Sequence, residues 1–363
     1  MKNVFLFDVL IVYNQRMARS ASGLSPARLT PFSRLSANSS YNQVYGYFLE
    51  VCQKNNLKAA FTTSGEITGP GTCNSFWIFK QKKWHKVNHP CFSPLIFDKF
   101  SPTTKSFARR RQLLFSNSQT KPFNDPELFN LFFDKQKTFD KLSEHSIPTI
   151  SLGDQSLQSL KSALKELSST MDRHPGSADF TTDIIMKDRF GAGGRNVYKF
   201  SPNEWDKMIS VINQNTKVSY IIQPFAKFDK GFTYHHRPAS TDIRLVYLKG
   251  KIIQSYIRVA KSGEFRCNEH QGGLLTYVSL GDLPPLVVAK SNIIADSLNN
   301  SCSLFALDFI MSNNGNPYLL EGNTGPGLDW NTSLKKNEYQ AKKLIRLVVG
   351  ELATRTRANI AVV

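Results

Sequence analysis

Two apolar runs, 304–311 and 317–320, flank Asn313-Asn314-Gly315-Asn316, and no other stretch restricts the fold as much. Asn-Gly at the centre of a short loop is the strongest local signal for a two-residue type I′ hairpin. With Asn314 and Gly315 as the loop, counting outward sets the register. Asn313 falls opposite Asn316, Ile310 opposite Leu319, Asp308 opposite Glu321 and Ala306 opposite Asn323. Opposed side chains share a face, with Cβ atoms roughly 5 Å apart. Two carboxylates therefore stand side by side, and an amide oxygen lies one step along on the same face. Like charges so placed repel unless a cation lies between them. Two carboxylates and a carbonyl oxygen make a hard-oxygen set suited to Mg²⁺, an ion that also takes phosphate oxygens and water. The plain alternative is an exposed hairpin whose acids pair with nearby lysines.

At 363 residues the chain is long enough for two or three packed units. Its hydrophobic content of 40% is ordinary for a soluble protein, and no apolar run reaches the length of a membrane span. The opening MKNVFLFDVLIVYNQR is basic and then apolar, but Asp8 interrupts the apolar part and no small-residue cleavage site follows closely. A first core strand is expected there rather than a leader. The five cysteines are widely spaced with no CxxC, which excludes a disulfide or zinc framework and points to reduced thiols in the cytoplasm. His85, His89 and Cys91 raise zinc as an alternative to a plain loop beside a strand. A net charge of +18 points to an anionic partner such as a nucleotide, an acidic peptide or nucleic acid, although solubility alone also accounts for it.

Along the chain, 4–13 reads as a buried strand, 14–40 as a long loop and 42–55 as a helix. A strand at 58–62, a hairpin at 76–80 and 83–87 and a strand at 95–100 complete an α/β unit without a catalytic signature. The helix at 107–114 carries Arg109, Arg110 and Arg111, a run that serves either as a solvated face or as an anion contact. Nearby aromatics lack the spacing of an RNA-binding sheet. Helices follow at 135–145 and 157–169. Strand 181–187 ends in Lys187, and DRFGAGGR (188–195) leads to a returning strand at 196–200. Gly191, Gly193 and Gly194 let the backbone approach a ligand, and their amides can cradle phosphate. No helix follows the loop, so neither the Walker loop nor the dinucleotide fingerprint applies. A plain flexible turn is the alternative. Strands at 219–223, 241–247 and 251–259, a helix at 286–298, the hairpin and a last helix at 337–355 complete the chain.

In this order the segments resemble the ATP-grasp superfamily, in particular the glutathione-synthase and RimK-type ligases, over roughly residues 122–335. DKQKT carries Lys135, similar to the family's first nucleotide-contacting lysine. IIMKDRFGAGGRNVYKF carries Lys187 and the phosphate-covering glycine loop. YIIQPF, with Gln223 and Phe225, resembles the hinge strand that reads adenine. DIRLVYLKGKIIQSYIRVA supplies Asp242, Arg244 and Arg258. EFRCNEHQGG, with Asn268, resembles an arginine–asparagine–Gly-Gly stretch, and LDFIMS with PYLLEGNTGPG supplies Asp308, Glu321 and Asn323. No single motif suffices, but six in the right order make coincidence improbable.

The resemblance implies an α/β (α+β) ATP-grasp fold with the nucleotide held between two α+β subdomains. These are 122–222, with the glycine-rich lid, and 223–363, with the metal site; an N-terminal α/β substrate domain, 1–121, precedes them. It implies ATP and one or two Mg²⁺ ions, with Mn²⁺ as a substitute. Lys135, Lys187, Gly191, Gly193, Gly194, Gln223, Phe225 and Asp242 are then the nucleotide-binding set. Arg258, Arg244 and Asn268 are catalytic, and Asp308, Glu321 and Asn323 hold the metal. The implied reaction joins a carboxylate to an amine through an acylphosphate. The substrates are small molecules or peptides of anionic character, with no membrane and with nucleic acid as the less favoured partner. The other readings are an ATP-grasp kinase or phosphotransferase and a non-catalytic nucleotide- or anion-binding module. Each residue also has a plain reading, such as Asp242 and Arg244 forming a structural ion pair.

Overall fold

A computed structural model of the chain describes residues 4–18, 29–234, 238–299, 303–328 and 335–360. Part of the expected 14–40 loop, and Cys302, lie outside these residues. The chain forms two compact units, Met1–Pro126 with Gly325–Val363, and Glu127–Thr324. The expected segment 223–363 is thus divided, and its last helix packs with the N-terminal unit.

In the first unit, β1 (Val9–Tyr13) is the run VLIVY, buried throughout, and a strand apolar on both faces requires cover on both. Helix α1 (Tyr41–Lys54) buries Val44, Tyr45, Phe48, Val51 and Cys52 at helical spacing and crosses back to β2 (Ala59–Thr63), which lies parallel to β1. Strands β3 (Phe76–Lys80) and β4 (Lys83–Val87) form the expected hairpin. Strand β5 (Leu95–Lys99) pairs with β1 on its other side, also in parallel. The Thr104 hydroxyl accepts the Phe107 N–H and caps α2 (Lys105–Leu114). With β6 (Lys121–Pro122) the sheet order is β6-β5-β1-β2-β3-β4. Cys73 and Cys91 lie opposite each other in a small second sheet. Among the described residues no group of three or more His, Cys, Asp or Glu side chains is placed to hold a metal, so the zinc alternative at His85, His89 and Cys91 finds no cluster.

The second unit begins with α3 (Pro126–Phe133) and α4 (Lys135–Leu142). Strands β7 (Ile150–Ser151), β8 (Phe180–Asp188), β9 (Val197–Phe200) and β10 (Tyr220–Ala226) form an antiparallel sheet in the order β7-β10-β8-β9. Two helices, α5 (Leu157–Asp172) and α6 (Trp205–Gln214), bury Leu160, Leu167, Met208 and Ile212 with Met186 and Ile222 of that sheet. A second sheet comprises β11 (Thr241–Leu248), β12 (Lys251–Val259), β13 (Leu274–Tyr277), β14 (Phe305–Met311) and β15 (Pro317–Asn323), in the order β13-β12-β11-β14-β15. Its apolar face packs with α7 (Pro285–Ser297) through Val287 and Ile294. The last helix, α8 (Lys335–Ile360), buries Leu344, Ile345, Val348 and Leu352. No helix among the described residues is long and apolar enough to cross a membrane.

The hairpin departs from expectation at its tip and returns to it at its base. Its loop has three residues, Asn313-Asn314-Gly315, rather than two. The Ser312 N–H donates to the Asn316 carbonyl at 2.8 Å and the Gly315 N–H to the Ser312 carbonyl at 2.9 Å. Within the loop Gly315 alone has a positive φ, 86°, so the turn is not type I′, which requires two such residues. The expected Asn313–Asn316 and Ile310–Leu319 pairs are therefore wrong; Ile310 faces Tyr318 and Phe309 faces Leu319. Side chains from outside the hairpin explain the longer loop. Asp179 accepts hydrogen bonds from Ser312 Oγ (2.8 Å), Asn316 Nδ2 (2.8 Å) and Tyr318 Oη (2.6 Å), and Asn313 Nδ2 donates to Asp229 at 2.9 Å. A bulge at Leu320 then shifts the register back by one residue. Asp308 faces Glu321 and Ala306 faces Asn323, as the count required.

Candidate active site

A cavity in the second unit is lined by residues of both of its sheets and by the glycine loop. Its apolar walls include Ile185, Val197, Phe225, Ile310 and Leu320. Gln223 also lines it, but its side-chain amide donates to Thr149 Oγ1 at 2.6 Å, which turns that side chain to a structural task. Lys199 Nζ lies 3.9 Å from the centre of the Phe225 ring.

The polar floor comes from alternation along the strands. Period two puts Asp242 and Arg244 of β11, and Tyr256 and Arg258 of β12, on one sheet face. The register then lines up Tyr256, Arg244, Asp308 and Glu321 in a row across β12, β11, β14 and β15, with Arg258 and Asp242 as the neighbouring pair. Cross-strand neighbours, not residues of one strand, form the ion pairs. Arg258 Nε and Nη2 donate to Asp242 at 2.7 and 2.9 Å, and Nη2 also reaches Asp308 Oδ2 at 2.7 Å. Arg244 grips Asp308 with the same two nitrogens and sends Nη1 to Tyr256 Oη at 3.2 Å. The plain reading of an Asp242–Arg244 pair is thus replaced by two cross-strand pairs joined through Asp308.

All four charges are buried. Burial pushes the Asp308 carboxyl up, but the guanidinium groups of Arg244 and Arg258 outweigh it and hold the group below the usual carboxylate range. Burial, with Asp308 nearby, lifts Asp242 to about 6 despite its bond to Arg258. The cation needed between the facing carboxylates is supplied by the protein itself, since Arg244 Nη2 lies 3.8 Å from Glu321 Oε1 as well as on Asp308.

Two lysines face this floor. Lys187, at the end of β8, is 9% exposed. Burial lowers its pKa to about 8, with Lys135 adding to the effect and Glu321 opposing it. Lys135 Nζ lies 4.0 Å from Glu321 Oε2 and donates to the Gly191 carbonyl of the loop. Gly193 and Gly194 both have φ of 70°. A Cβ at Gly194 would come within 2.6 Å of Asn268 Oδ1, so glycine is required both for its backbone conformation and for this close approach.

Twelve of the fourteen candidate residues therefore line one cavity; Arg244 and Asn323 do not. Arg244 sits opposite Asp308 across the β11–β14 pair, and Asn323 is two residues beyond Glu321 on β15. Asp308, Glu321 and Asn323 offer the hard oxygens that Mg²⁺ takes, and Asp308 is held ionised in spite of its burial, so the donor set fits that ion. Sequence reasoning missed a pair that fixes the loop's base. Arg189 Nε and Nη2 donate to Asp134 at 2.6 Å each, while Asp134 caps α4 by accepting the Gln136 N–H at 3.0 Å. An aspartate immediately before a helix was the available signal.

A family model described as a RimK-like ATP-grasp domain matches residues 134–348. A probable alpha-L-glutamate ligase of Legionella pneumophila (strain Corby) is 30% identical over 40% of this chain and 43% of its own length. Another from Shewanella pealeana is 34% identical over 33% of this chain and 23% of its own. The match spans less than half the length of these curated relatives. Among solved structures, D-alanine–D-alanine ligase from Bacillus anthracis complexed with ATP is similar over 98% of this chain and 99% of its own, with TM-score 0.56 and 13% identity. A RimK domain ATP-grasp protein from Sphaerobacter thermophilus covers 94% and 98%, with TM-score 0.54 and 12% identity. The fold is that of ATP-grasp proteins across nearly the whole chain.

Proposed function

Because the chain belongs to the RimK-like ATP-grasp family, we propose that it is a cytoplasmic ATP-dependent carboxylate–amine ligase acting on an acidic amino acid or peptide, with L-glutamate as its first candidate substrate. The observation that carries this reading is the placing of Lys135, Lys187, Asp308 and Glu321 around one cavity beneath a glycine loop. Such a set matches a nucleotide triphosphate with its metal. The names of the relatives supply the choice of glutamate.

In the proposed reaction the substrate carboxylate takes the γ-phosphoryl group of ATP, giving an acylphosphate and ADP. An amine then attacks the acyl carbon, phosphate leaves, and the amine nitrogen loses its proton. Charge develops on phosphoryl and carbonyl oxygens, so positioned cations supply most of the catalysis. Lys187 and Lys135 stand where phosphate would be neutralised. Arg258 lines the cavity, and its Nη1 has no protein acceptor among the described residues, which leaves that corner free for a developing oxyanion. Arg244 acts through Asp308 and is a positioning residue. Asp308, Glu321 and Asn323 would hold Mg²⁺, which supplies charge neutralisation at the β- and γ-phosphates when bound. The apolar walls by Ile185, Val197 and Phe225 suit a base, and the loop excludes water above the phosphates.

The test is ADP release by the 363-residue chain with ATP, Mg²⁺ and L-glutamate or glutamyl peptides, with and without an amine acceptor. Amine-dependent ADP formation, and a product lighter by one water than its two parts, is expected. A stable phosphorylated product without an amine requirement would make the protein a kinase. RNA binding that weakens with salt, without turnover, would make it a binding module.

A further inference from the structure

Three arginines in succession on α2 have three different environments. Arg109 is exposed. Arg111 pairs with Asp98 of β5. Arg110 is half-buried, and its Nη1 alone is anchored, donating to the Ser64 carbonyl at 2.7 Å and to Gln15 Oε1. Both acceptors are neutral. Among the described residues no carboxylate lies within ion-pair distance of Arg110, and its Nε and Nη2 have no protein acceptor.

In three other arginines of the molecule that same edge takes a carboxylate. Arg189, Arg244 and Arg258 each present Nε and Nη2 together to the two oxygens of an aspartate. Two parallel N–H donors match a carboxylate in spacing and plane. Arg110 thus has the fixed half of a clamp, with its binding edge unpaired to any acid among the described residues.

The position agrees with this. β1 pairs in parallel with β2 on one side and β5 on the other. The chain leaves β1 for β2 through α1, so β1 and β5 flank a topological switch point. In open α/β sheets ligands bind beyond the carboxyl ends of strands at such a point. Gln15 lies just past the end of β1, and Ser64 just past β2. Ser64 is fully buried, its N–H donates to the Tyr13 carbonyl at 2.8 Å, and its hydroxyl accepts the Gln15 N–H at 3.3 Å. Both anchors of Arg110 are therefore tied to the sheet. Arg16 adds a second guanidinium, 5.1 Å from the Phe107 ring of the same helix.

We infer that Arg110, braced by Gln15 and Ser64, is a binding site for the carboxylate of an amino-acid or peptide substrate within the N-terminal unit. The assignment of that carboxylate to a substrate rests on the ligase reading above; the site itself rests on the guanidinium geometry. Calorimetric titration of the nucleotide-free 363-residue chain with L-glutamate and with L-glutamyl-L-glutamate tests it, with inorganic phosphate as a second probe. Arg110→Lys keeps the charge and loses the fork, and should weaken carboxylate binding at least about tenfold. Arg109→Lys should change it less than about twofold. Phosphate should bind at least about tenfold more weakly than the better carboxylate.

Carboxylate binding that is unchanged in folded Arg110→Lys, or absent in the natural protein, overturns the inference. Phosphate binding as tight as carboxylate overturns the ligand class. Should Arg110→Lys fail to fold, Gln15→Ala decides, since it removes one brace and keeps the cation; a loss of at least about threefold is expected, and unchanged binding overturns the site. The two readings fail separately. Glutamate-dependent ADP release with no effect at Arg110 removes the site and leaves the ligase. Arg110-dependent binding without ADP release removes the ligase and leaves the site.

Discussion

Replacing Lys187 by methionine should make the nucleotide-free protein more stable while removing its hold on ATP. Lys187 is 9% exposed, and burial, aided by Lys135, brings its pKa from 10.5 to about 8. That fall corresponds to about 3 kcal/mol of disfavoured protonation, at about 1.4 kcal/mol for each tenfold change. Below pH 8 both the native and the unfolded chain carry the proton, so the native state bears the whole penalty. Between pH 8 and 10.5 the unfolded chain binds more protons at this site than the native one, so the site's contribution makes stability rise with pH. Methionine fills a similar volume and has no charge to desolvate. At pH 7 the variant should therefore gain about 1–3 kcal/mol, and the advantage should shrink as the pH approaches 10.5. Urea melts of both proteins at pH 7 and pH 10, without nucleotide, measure the difference directly, and other groups that titrate in this range cancel in the comparison. Parallel pH profiles, or a variant less stable at pH 7, would refute the claim that Lys187 is a strained buried cation. Addition of ATP and Mg²⁺ should raise the melting temperature of the natural protein and leave that of the variant nearly unchanged.

The glycine loop should be protected by ligand: cleavage near Arg189 or Arg195 by trypsin should slow in the presence of an ATP analogue and Mg²⁺, and equal rates would count against a lid. Gly194→Ala, at φ of 70° and 2.6 Å from Asn268 Oδ1, should cost about 1–2 kcal/mol locally and lower turnover at least about tenfold, read as steady-state ADP release. Glu321→Gln should abolish turnover and Mg²⁺-dependent nucleotide binding but keep the fold within about 1 kcal/mol by thermal melt, because Glu321 is partly exposed and its cations lie at 3.8 and 4.0 Å. Arg258→Lys should lower the maximal rate more than it raises the apparent ATP constant; a change confined to the ATP constant would mean that Arg258 meets ground-state phosphate instead.

The core of the site was readable because it depends on period-two alternation and on counting from a turn. Those rules put Asp308 opposite Glu321, and the pairing holds although the count began from the wrong loop. The loop error has a physical source. Asn-Gly favours a type I′ turn only locally, and Asp179 and Asp229 recruit Ser312, Asn313 and Asn316 from outside the hairpin. Conversely, Gln81-Lys82 joins β3 to β4 with positive φ at both residues, the type I′ signature, in a sequence with no local reason for it. There Phe79 and Trp84 pack across the hairpin beside the turn, with ring centres 5.1 Å apart. The grouping of the last helix with the N-terminal unit was equally hidden, because an amphipathic pattern says that a face is buried and not what buries it. The Asp134–Arg189 pair joins residues 55 apart in the chain, a separation over which no periodicity carries information.

The four buried charges of the floor have no explanation in stability alone. Buried ion pairs seldom improve on well-packed apolar residues of the same volume, because desolvation offsets the attraction. Their arrangement here has another effect. Asp308 accepts from both Arg244 and Arg258, so it stays ionised where burial alone would neutralise it. The Arg244 fork fixes both of its oxygens in direction, and Arg258 adds a third bond to Oδ2. Glu321, the next member of the row, has only looser contacts at 3.8 and 4.0 Å and a side chain 24% exposed. The row thus runs from a rigid, fully compensated carboxylate to a freer one that faces two lysines at the cavity. In the proposed reaction a phosphate chain and a divalent ion would add charges of both signs to this region. A floor whose dipoles are already locked reorganises little when they arrive, and electrostatic catalysis depends on that. Sequence register achieves this with two side chains on each of β11 and β12 and one each on β14 and β15: Arg244 lies directly across from Asp308, Arg258 directly across from Asp242, and Arg258 reaches Asp308 diagonally over β11.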